Sequence, residues 1–189
     1  MSQDAAIEPD TKDWTWVLEA PCGECGFEAT ALDRHDIAPR IRADVAIWQA
    51  VLSLPDAAVR PEAATWSSLE YACHVRDVHL LFAERVTLML EEDTPSFANW
   101  DQDETAVSER YGEQYPSVVA ADLAQAAEAV AEVYDGVPDD AWERRGLRSN
   151  GSEFTIDSIA RYHLHDVEHH AWDVRDAAAR AGVWRAVRD

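Results

Sequence analysis

The chain has 189 residues, 47% of them hydrophobic, which is enough for one sizeable core and too few for two comfortable domains. Its formal net charge of −21 repels phosphate backbones and anionic lipid surfaces, so we expect neither a nucleic-acid partner nor a membrane partner. No segment has the run of about 18 apolar residues that a membrane span needs, and the first residues are polar and acidic, which predicts a cytoplasmic protein.

Residues 1–32 are predicted to form an irregular N-terminal segment, because they contain a proline and two glycines close together. Cys22 and Cys25 form an isolated CxxC motif in this segment. Neither a second CxxC nor a βαβ pattern accompanies it, so a structural role is favoured, while a redox pair and a second metal site stay open. Cys73 is predicted to be a core residue.

Four segments have the apolar spacing or the end residues of amphipathic helices. These predicted helices cover residues 37–52, 67–91, 117–134 and 155–181. Ser67 and Glu70 form a capping box at the start of the second helix, and Thr155 can cap the fourth. Gly136 and Gly182 follow the ends of the third and fourth helices.

The connection between the second and third helices, residues 96–116, is polar and broken, and it is predicted to be a partly helical crossover. Asn150 and Gly151 give a turn signal that predicts a small hairpin before the last helix. Four long helices with one crossover predict an all-α four-helix bundle over residues 33–181, followed by a tail at 182–189.

Histidines on the last predicted helix indicate a metal site. His165 and His169 are four residues apart, so both imidazoles project from one face, and that face is expected to point inward. His74 lies early in the second helix, on an apolar stripe, and can supply a third ligand. Zinc enzymes commonly keep three protein ligands and one open position, although a single histidine is more often a structural residue.

A neighbouring stripe of the same helix carries further polar side chains. Asp166 and Asp173 can orient a metal-bound imidazole through its second nitrogen, but acidic residues on such a face are more often solvated, and we favour solvation for both.

Two stretches resemble a known family. These are Trp66–Val78, with the sequence WSSLEYACHVRDV, and His165–Val174, with the sequence HDVEHHAWDV. Together they resemble the DinB-like superfamily of metal-binding four-helix bundles, which includes the metal-binding domain of mycothiol-dependent maleylpyruvate isomerase and bacillithiol-dependent transferases. The resemblance covers about residues 33–181. It implies that the metal ligands are His74, His165 and His169.

The resemblance implies a divalent-metal-dependent transferase or isomerase that activates a low-molecular-weight thiol, with a mycothiol-like thiol as cosubstrate and a small molecule as substrate. Histidine sites accept zinc, nickel, iron or copper, and zinc and nickel are the leading candidates. The alternative is a non-catalytic metal-stabilised bundle that acts in small-molecule binding or stress response. Closure of the metal shell by Glu70 or another side chain would favour this alternative. The eight tryptophans are compatible with a homodimer.

Overall fold

The computed structural model describes residue 7 and residues 12–184. The beginning of the predicted N-terminal segment, residues 1–6 and 8–11, and the end of the predicted tail, residues 185–189, lie outside the described residues. The division of the chain into segment, bundle and tail stays a prediction.

Six α-helices and three short strands form the regular structure of this described part. The helices are α1 (Ile37–Leu52), α2 (Ser68–Glu91), α3 (Gln102–Ser108), α4 (Pro116–Asp135), α5 (Ile156–Asp173) and α6 (Arg175–Arg180). The strands are β1 (Ser96–Phe97), β2 (Arg145–Arg148) and β3 (Glu153–Thr155). None of the described helices combines the length and the apolar character that a membrane span requires.

The four long helices pack into a bundle in which α1 and α2 each contact both α4 and α5. Apolar side chains from all four helices meet in one core, for example Trp48, Leu69, Leu123 and Ile159. The predicted all-α four-helix bundle with a long crossover connection is therefore confirmed. Short 3₁₀ helices at Trp14–Leu18 and Ala29–Ala31 pack against α5 and bring the N-terminal segment to the bundle.

Both predicted capping motifs are present. The Ser67 hydroxyl accepts a hydrogen bond from the Glu70 amide at 3.2 Å, and the Glu70 carboxylate accepts one from the Ser67 amide at 2.8 Å. Thr155 caps α5 with Ser158 as its reciprocal partner. These local bonds satisfy amides that a helix start leaves without a partner, so they set where each helix begins.

The last predicted helix is interrupted. The structure ends α5 at Asp173, and the single residue Val174, with φ −91° and ψ 12°, separates it from α6. Val174 is buried, and a β-branched side chain has a weaker helix preference than the alanines that follow it.

The predicted hairpin is confirmed, and it belongs to a small sheet. Strands β2 and β3 pair antiparallel around the Asn150-Gly151 turn, where Gly151 has a φ of +97° that favours glycine. Strand β1, which was not predicted, pairs in parallel with β2. Because β3 runs directly into α5, this sheet helps to fix the start of the helix.

A chain of buried polar side chains crosses the core. The Tyr134 hydroxyl lies 2.9 Å from Nδ1 of His163, and Nε2 of His163 lies 3.0 Å from Nδ1 of His79. Burial lowers the pKa of His79 to about 3, although the negative charge of the Asp166 carboxylate by itself would raise this pKa. His79 is therefore neutral in the folded protein.

We expect Gly146→Ala to destabilise the fold by about 1–3 kcal/mol, because small-to-large changes in a packed core force side chains apart. A Cβ at Gly146 would lie 2.7 Å from Cε1 of Phe97 and 2.9 Å from Cγ of Met89. The measurement is the free energy of unfolding from chemical denaturation. Gly112→Ala is the control, since a Cβ there meets nothing closer than 3.5 Å. Equal stability of the two variants would contradict this packing.

We also expect His79 to lower the free energy of unfolding as the pH falls from about 6.5 to about 3. The unfolded chain binds a proton on this histidine below its ordinary pKa while the folded protein does not, so unfolding is favoured as the pH falls. In chelator-treated protein, His79→Gln should reduce the pH slope of the unfolding free energy by up to about 1.4 kcal/mol per pH unit. His35→Gln, at an exposed histidine, is the matched control, and an unchanged slope in His79→Gln would contradict the assignment.

Candidate metal centres

Helix α5 presents two pairs of candidate metal ligands with the same four-residue spacing. His165 and His169 form one pair, and Asp166 and His170 form the other. Consecutive residues of a helix point about 100° apart, so the two pairs face different neighbours. The result is two clusters, one against α2 and one against the N-terminal segment.

The first group, here called the helix cluster, consists of His74 from α2 with Asp166 and His170 from α5. One ligand atom from each of the three lies within 4.8 Å of the others. The Asp166 Oδ1 atom is 3.3 Å from Nε2 of His74 and 3.6 Å from Nε2 of His170. Two imidazoles and one carboxylate therefore converge on a common point.

Neighbouring side chains orient the imidazoles of the helix cluster. Nδ1 of His170 lies 2.8 Å from the Asp173 carboxylate, which accepts its hydrogen bond and leaves Nε2 directed towards Asp166. The ring of Trp100 stacks on His74 with centroids 5.4 Å apart, and the ring of Trp66 packs on it at 5.5 Å. His74 is fully buried as a result.

The protonation states of this cluster suit cation binding. Burial lowers the pKa of His74, which favours the neutral imidazole that a metal requires. Burial alone would raise the pKa of Asp166, but the hydrogen bond from His74 and the nearby His170 outweigh it and hold the pKa below its ordinary value. Asp166 is therefore a carboxylate at neutral pH.

The second group, here called the thiol cluster, consists of Cys22, Cys25, His165 and His169. All four residues are buried, and one ligand atom from each lies within 4.8 Å of the others. The Sγ atom of Cys22 is 3.7 Å from Nδ1 of His169. Burial lowers the pKa of His165 to about 4 and also lowers that of His169, so both imidazoles are neutral.

Both clusters border one cavity of about 300 Å³. The residues that line it are Ile7, Lys12, Trp14, Glu24, Ala64, Trp66, Tyr71, Gln102, Asp103, Tyr162, His165, Asp166, His169, His170 and Asp173. Carboxylates predominate among the charged groups of this wall, so the cavity attracts cations. A cavity of this volume can hold a small molecule next to the helix cluster.

The structure divides the three histidines predicted as ligands between the two clusters. His165 and His169 do lie together and are buried, as their spacing predicts, but their neighbours are the two cysteines. His74 lies instead with Asp166 and His170. The ligand set of His74, His165 and His169 stays a prediction.

Sequence reasoning missed several of these residues as ligands. Asp166 and His170 have the same four-residue spacing as the histidine pair, and this signal was available in the sequence. We expected Asp166 and Asp173 to be solvated, yet their side chains are only 24% and 20% exposed and both contact histidines. The CxxC motif gave the corresponding signal for the thiol cluster.

Comparisons with known proteins agree with this architecture. A sequence profile of the DinB superfamily matches residues 39–174. Among solved structures the chain resembles YfiT from Bacillus subtilis, which is described as a probable metal-dependent hydrolase with an unusual four-helix bundle topology. The two share 17% sequence identity and a TM-score of 0.68, over 87% of this chain and 91% of YfiT, which shows a common fold. No curated protein sequence matches this chain.

Proposed function

This chain belongs to the DinB superfamily, and we propose that it is a divalent-metal-dependent enzyme that binds its metal at the helix cluster and activates a low-molecular-weight thiol in the adjoining cavity. One observation carries the proposal. His74, Asp166 and His170 converge at the wall of a cavity large enough for a small substrate.

The donor set of the helix cluster fits a catalytic metal. Two imidazoles and one carboxylate are a ligand combination found in zinc enzymes, where a fourth position stays open for water or substrate. Zinc and nickel both suit such a site, because imidazole and carboxylate groups bind either ion. A divalent ion held there would lower the pKa of a bound thiol or water, so that a nucleophile is present near neutral pH.

The contacts of Glu70 support the proposal that one coordination position of the metal is open. Glu70 is the residue that could have filled this position, but its carboxylate is bonded elsewhere. Its carboxylate accepts hydrogen bonds from Nε of Arg60 at 3.0 and 3.1 Å and from the Ser67 amide at 2.8 Å. Glu70 is therefore committed to capping α2. This arrangement favours an enzyme over the non-catalytic metal-stabilised bundle.

The remaining side chains of the site prepare it for a substrate. Asp173 holds the tautomer of His170, because it accepts the hydrogen bond from Nδ1 and leaves Nε2 as the ligand atom. Burial and the nearby Asp173 carboxylate raise the pKa of Tyr71, so its phenol is protonated and can donate a hydrogen bond in the cavity. Trp66 and Trp100 cover His74 and exclude water from that side.

A mycothiol-like thiol is the proposed nucleophile, from the family resemblance. In a transfer reaction the thiolate sulfur would form a bond to carbon of an electrophilic substrate, and the leaving group would depart with the electron pair of the broken bond. Water is the competing nucleophile, since YfiT is described as a probable metal-dependent hydrolase. Separate assays of thiol transfer and of ester hydrolysis distinguish the two nucleophiles.

We expect Asp173→Asn to weaken metal binding at the helix cluster by about 10–100-fold, which is the usual effect of losing a carboxylate that orients a ligating histidine. Calorimetric titration of the chelated protein with zinc gives the affinity, taken from the binding step that His170→Ala removes. Asp176→Asn, at an exposed aspartate in α6, is the control and should bind as the unmodified protein does. Equal affinity of both variants would remove Asp173 from the site.

The activity test compares zinc-loaded and nickel-loaded protein with His170→Ala in two assays. One assay follows the transfer of mycothiol to chlorodinitrobenzene, with release of chloride, and the other follows hydrolysis of nitrophenyl acetate. We expect metal-dependent thiol transfer that falls by at least about 100-fold in His170→Ala, because loss of a ligand removes the activating charge. His35→Ala is the control for a histidine outside the site.

Each other outcome has a definite meaning. Metal-dependent ester hydrolysis without thiol transfer would contradict the thiol and support a hydrolase. Metal binding with neither activity, together with a closed coordination shell, would support the non-catalytic bundle. Full metal affinity in His170→Ala and His74→Ala would contradict the helix cluster as the binding site.

A further inference from the structure

The thiol cluster joins two distant parts of the chain. Cys22 and Cys25 belong to the turn between the first two 3₁₀ helices, and His165 and His169 lie one turn apart on α5. Cys22 and His169 are 147 positions apart in the sequence. Four side chains with sulfur and nitrogen donors thus meet in one buried place.

The spacing of the donors suits a tetrahedral zinc ion. Sulfur at about 2.3 Å and nitrogen at about 2.1 Å from such an ion lie about 3.6 Å from each other. The observed distance between Sγ of Cys22 and Nδ1 of His169 is 3.7 Å. Two cysteines and two histidines are also a common ligand set of structural zinc sites.

The backbone of the CxxC turn is arranged to hold the two cysteines. The amide of Gly26 donates to the carbonyl oxygen of Cys22 at 2.9 Å, and the amide of Cys22 donates to the carbonyl oxygen of Phe27 at 2.8 Å. Gly26 has a φ of +76°, which side chains rarely allow. The glycine after the second cysteine therefore lets the turn close.

The histidines show the partners that a metal site predicts. Nε2 of His169 lies 3.3 Å from the carboxylate of Glu24, the residue inside the CxxC turn, which leaves Nδ1 facing Cys22. His165 is only 3% exposed, so its Nε2 atom is shielded from water. This atom has no hydrogen-bond partner among the described residues. A metal ion in the cluster would supply the interaction that this imidazole lacks.

Aromatic side chains enclose the thiol cluster. The ring of Trp14 packs on His165 and His169 with centroids 5.6 and 5.1 Å apart, and Phe27 packs on His165 at 5.4 Å. Four protein ligands would complete the shell, which is the arrangement of a structural site rather than a catalytic one.

We propose that Cys22, Cys25, His165 and His169 form a second, structural zinc site that fastens the N-terminal segment to α5. This site differs in its donors from the helix cluster and does not depend on the proposed activity. The fastened segment includes Trp14 and Glu24, which line the same cavity as the helix cluster. The structural zinc site therefore builds one wall of the cavity.

Cobalt(II) replaces zinc in the full-length, chelated protein as a spectroscopic probe, and the absorption of thiolate-to-cobalt charge transfer is recorded. Cysteine ligation produces this absorption, whereas histidine and carboxylate ligation does not. We expect the band in the unmodified protein, in His74→Ala and in Cys73→Ala, which removes a buried cysteine outside the cluster. The double variant Cys22→Ala, Cys25→Ala, which leaves no thiol in the cluster, should lose it, together with one equivalent of zinc.

The spectrum of the unmodified protein tests the proposal even where a variant does not fold, and absence of the band there would overturn it. A band that persists in the double cysteine variant would also overturn it. Formation of a reversible disulfide between Cys22 and Cys25 in protein that takes up no thiol-bound metal would replace the zinc site by a redox pair.

A second readout reports the fastening itself. Limited proteolysis should cleave the N-terminal segment severalfold faster in Cys25→Ala, or after chelation, than in the zinc-bound protein, because the segment loses its attachment to α5. Cys73→Ala should be cleaved at the rate of the unmodified protein. Equal cleavage with and without zinc would overturn the fastening role. Loss of metal in His74→Ala alone bears only on the proposed function.

Discussion

The angular spacing of side chains on α5 is the constraint on which both candidate sites depend. Residues four apart project in nearly the same direction, and consecutive residues diverge by about 100°. The pair His165 and His169 therefore cannot bind the same metal ion as the pair Asp166 and His170. They require that α5 lie between two partners, and the fold supplies α2 on one side and the N-terminal segment on the other.

Burial determines the chemical state of the imidazoles that these contacts bring together. Desolvation lowers the pKa of His74, His165 and His169, so all three are held in the neutral form that coordinates metals. The hydrogen bond with His74 keeps the Asp166 carboxylate ionised, although burial by itself would raise its pKa. In a protein with a net charge of −21, a buried cation is also favoured by the overall field.

The proposed sites divide two tasks between different donor sets. Two imidazoles and a carboxylate leave coordination positions open towards the cavity, whereas two thiolates and two imidazoles fill a tetrahedral shell. The closed site would hold the cavity wall in place, while the open site would perform the proposed chemistry. Rigid support of this kind matters, because catalytic geometry tolerates only small displacements of the reacting groups.

Local signals in the sequence determined much of this protein. The capping box at Ser67, the cap at Thr155, the four long helices up to the break at Val174 and the Asn150-Gly151 turn were predicted correctly, because each involves residues close in the chain. The same spacing identified α5 as a helix rich in candidate metal ligands. Strand β1 was missed, since its pairing with β2 joins segments about fifty residues apart.

Tertiary structure alone decided which candidate ligands meet. His74 packs against the stripe that carries Asp166 and His170 because of the rotation of α5 about its axis, which depends on core packing along the whole bundle. The partners of Cys22 and Cys25 are equally non-local. Helical periodicity determines which residues share a face, but only the packed neighbours determine what each face meets.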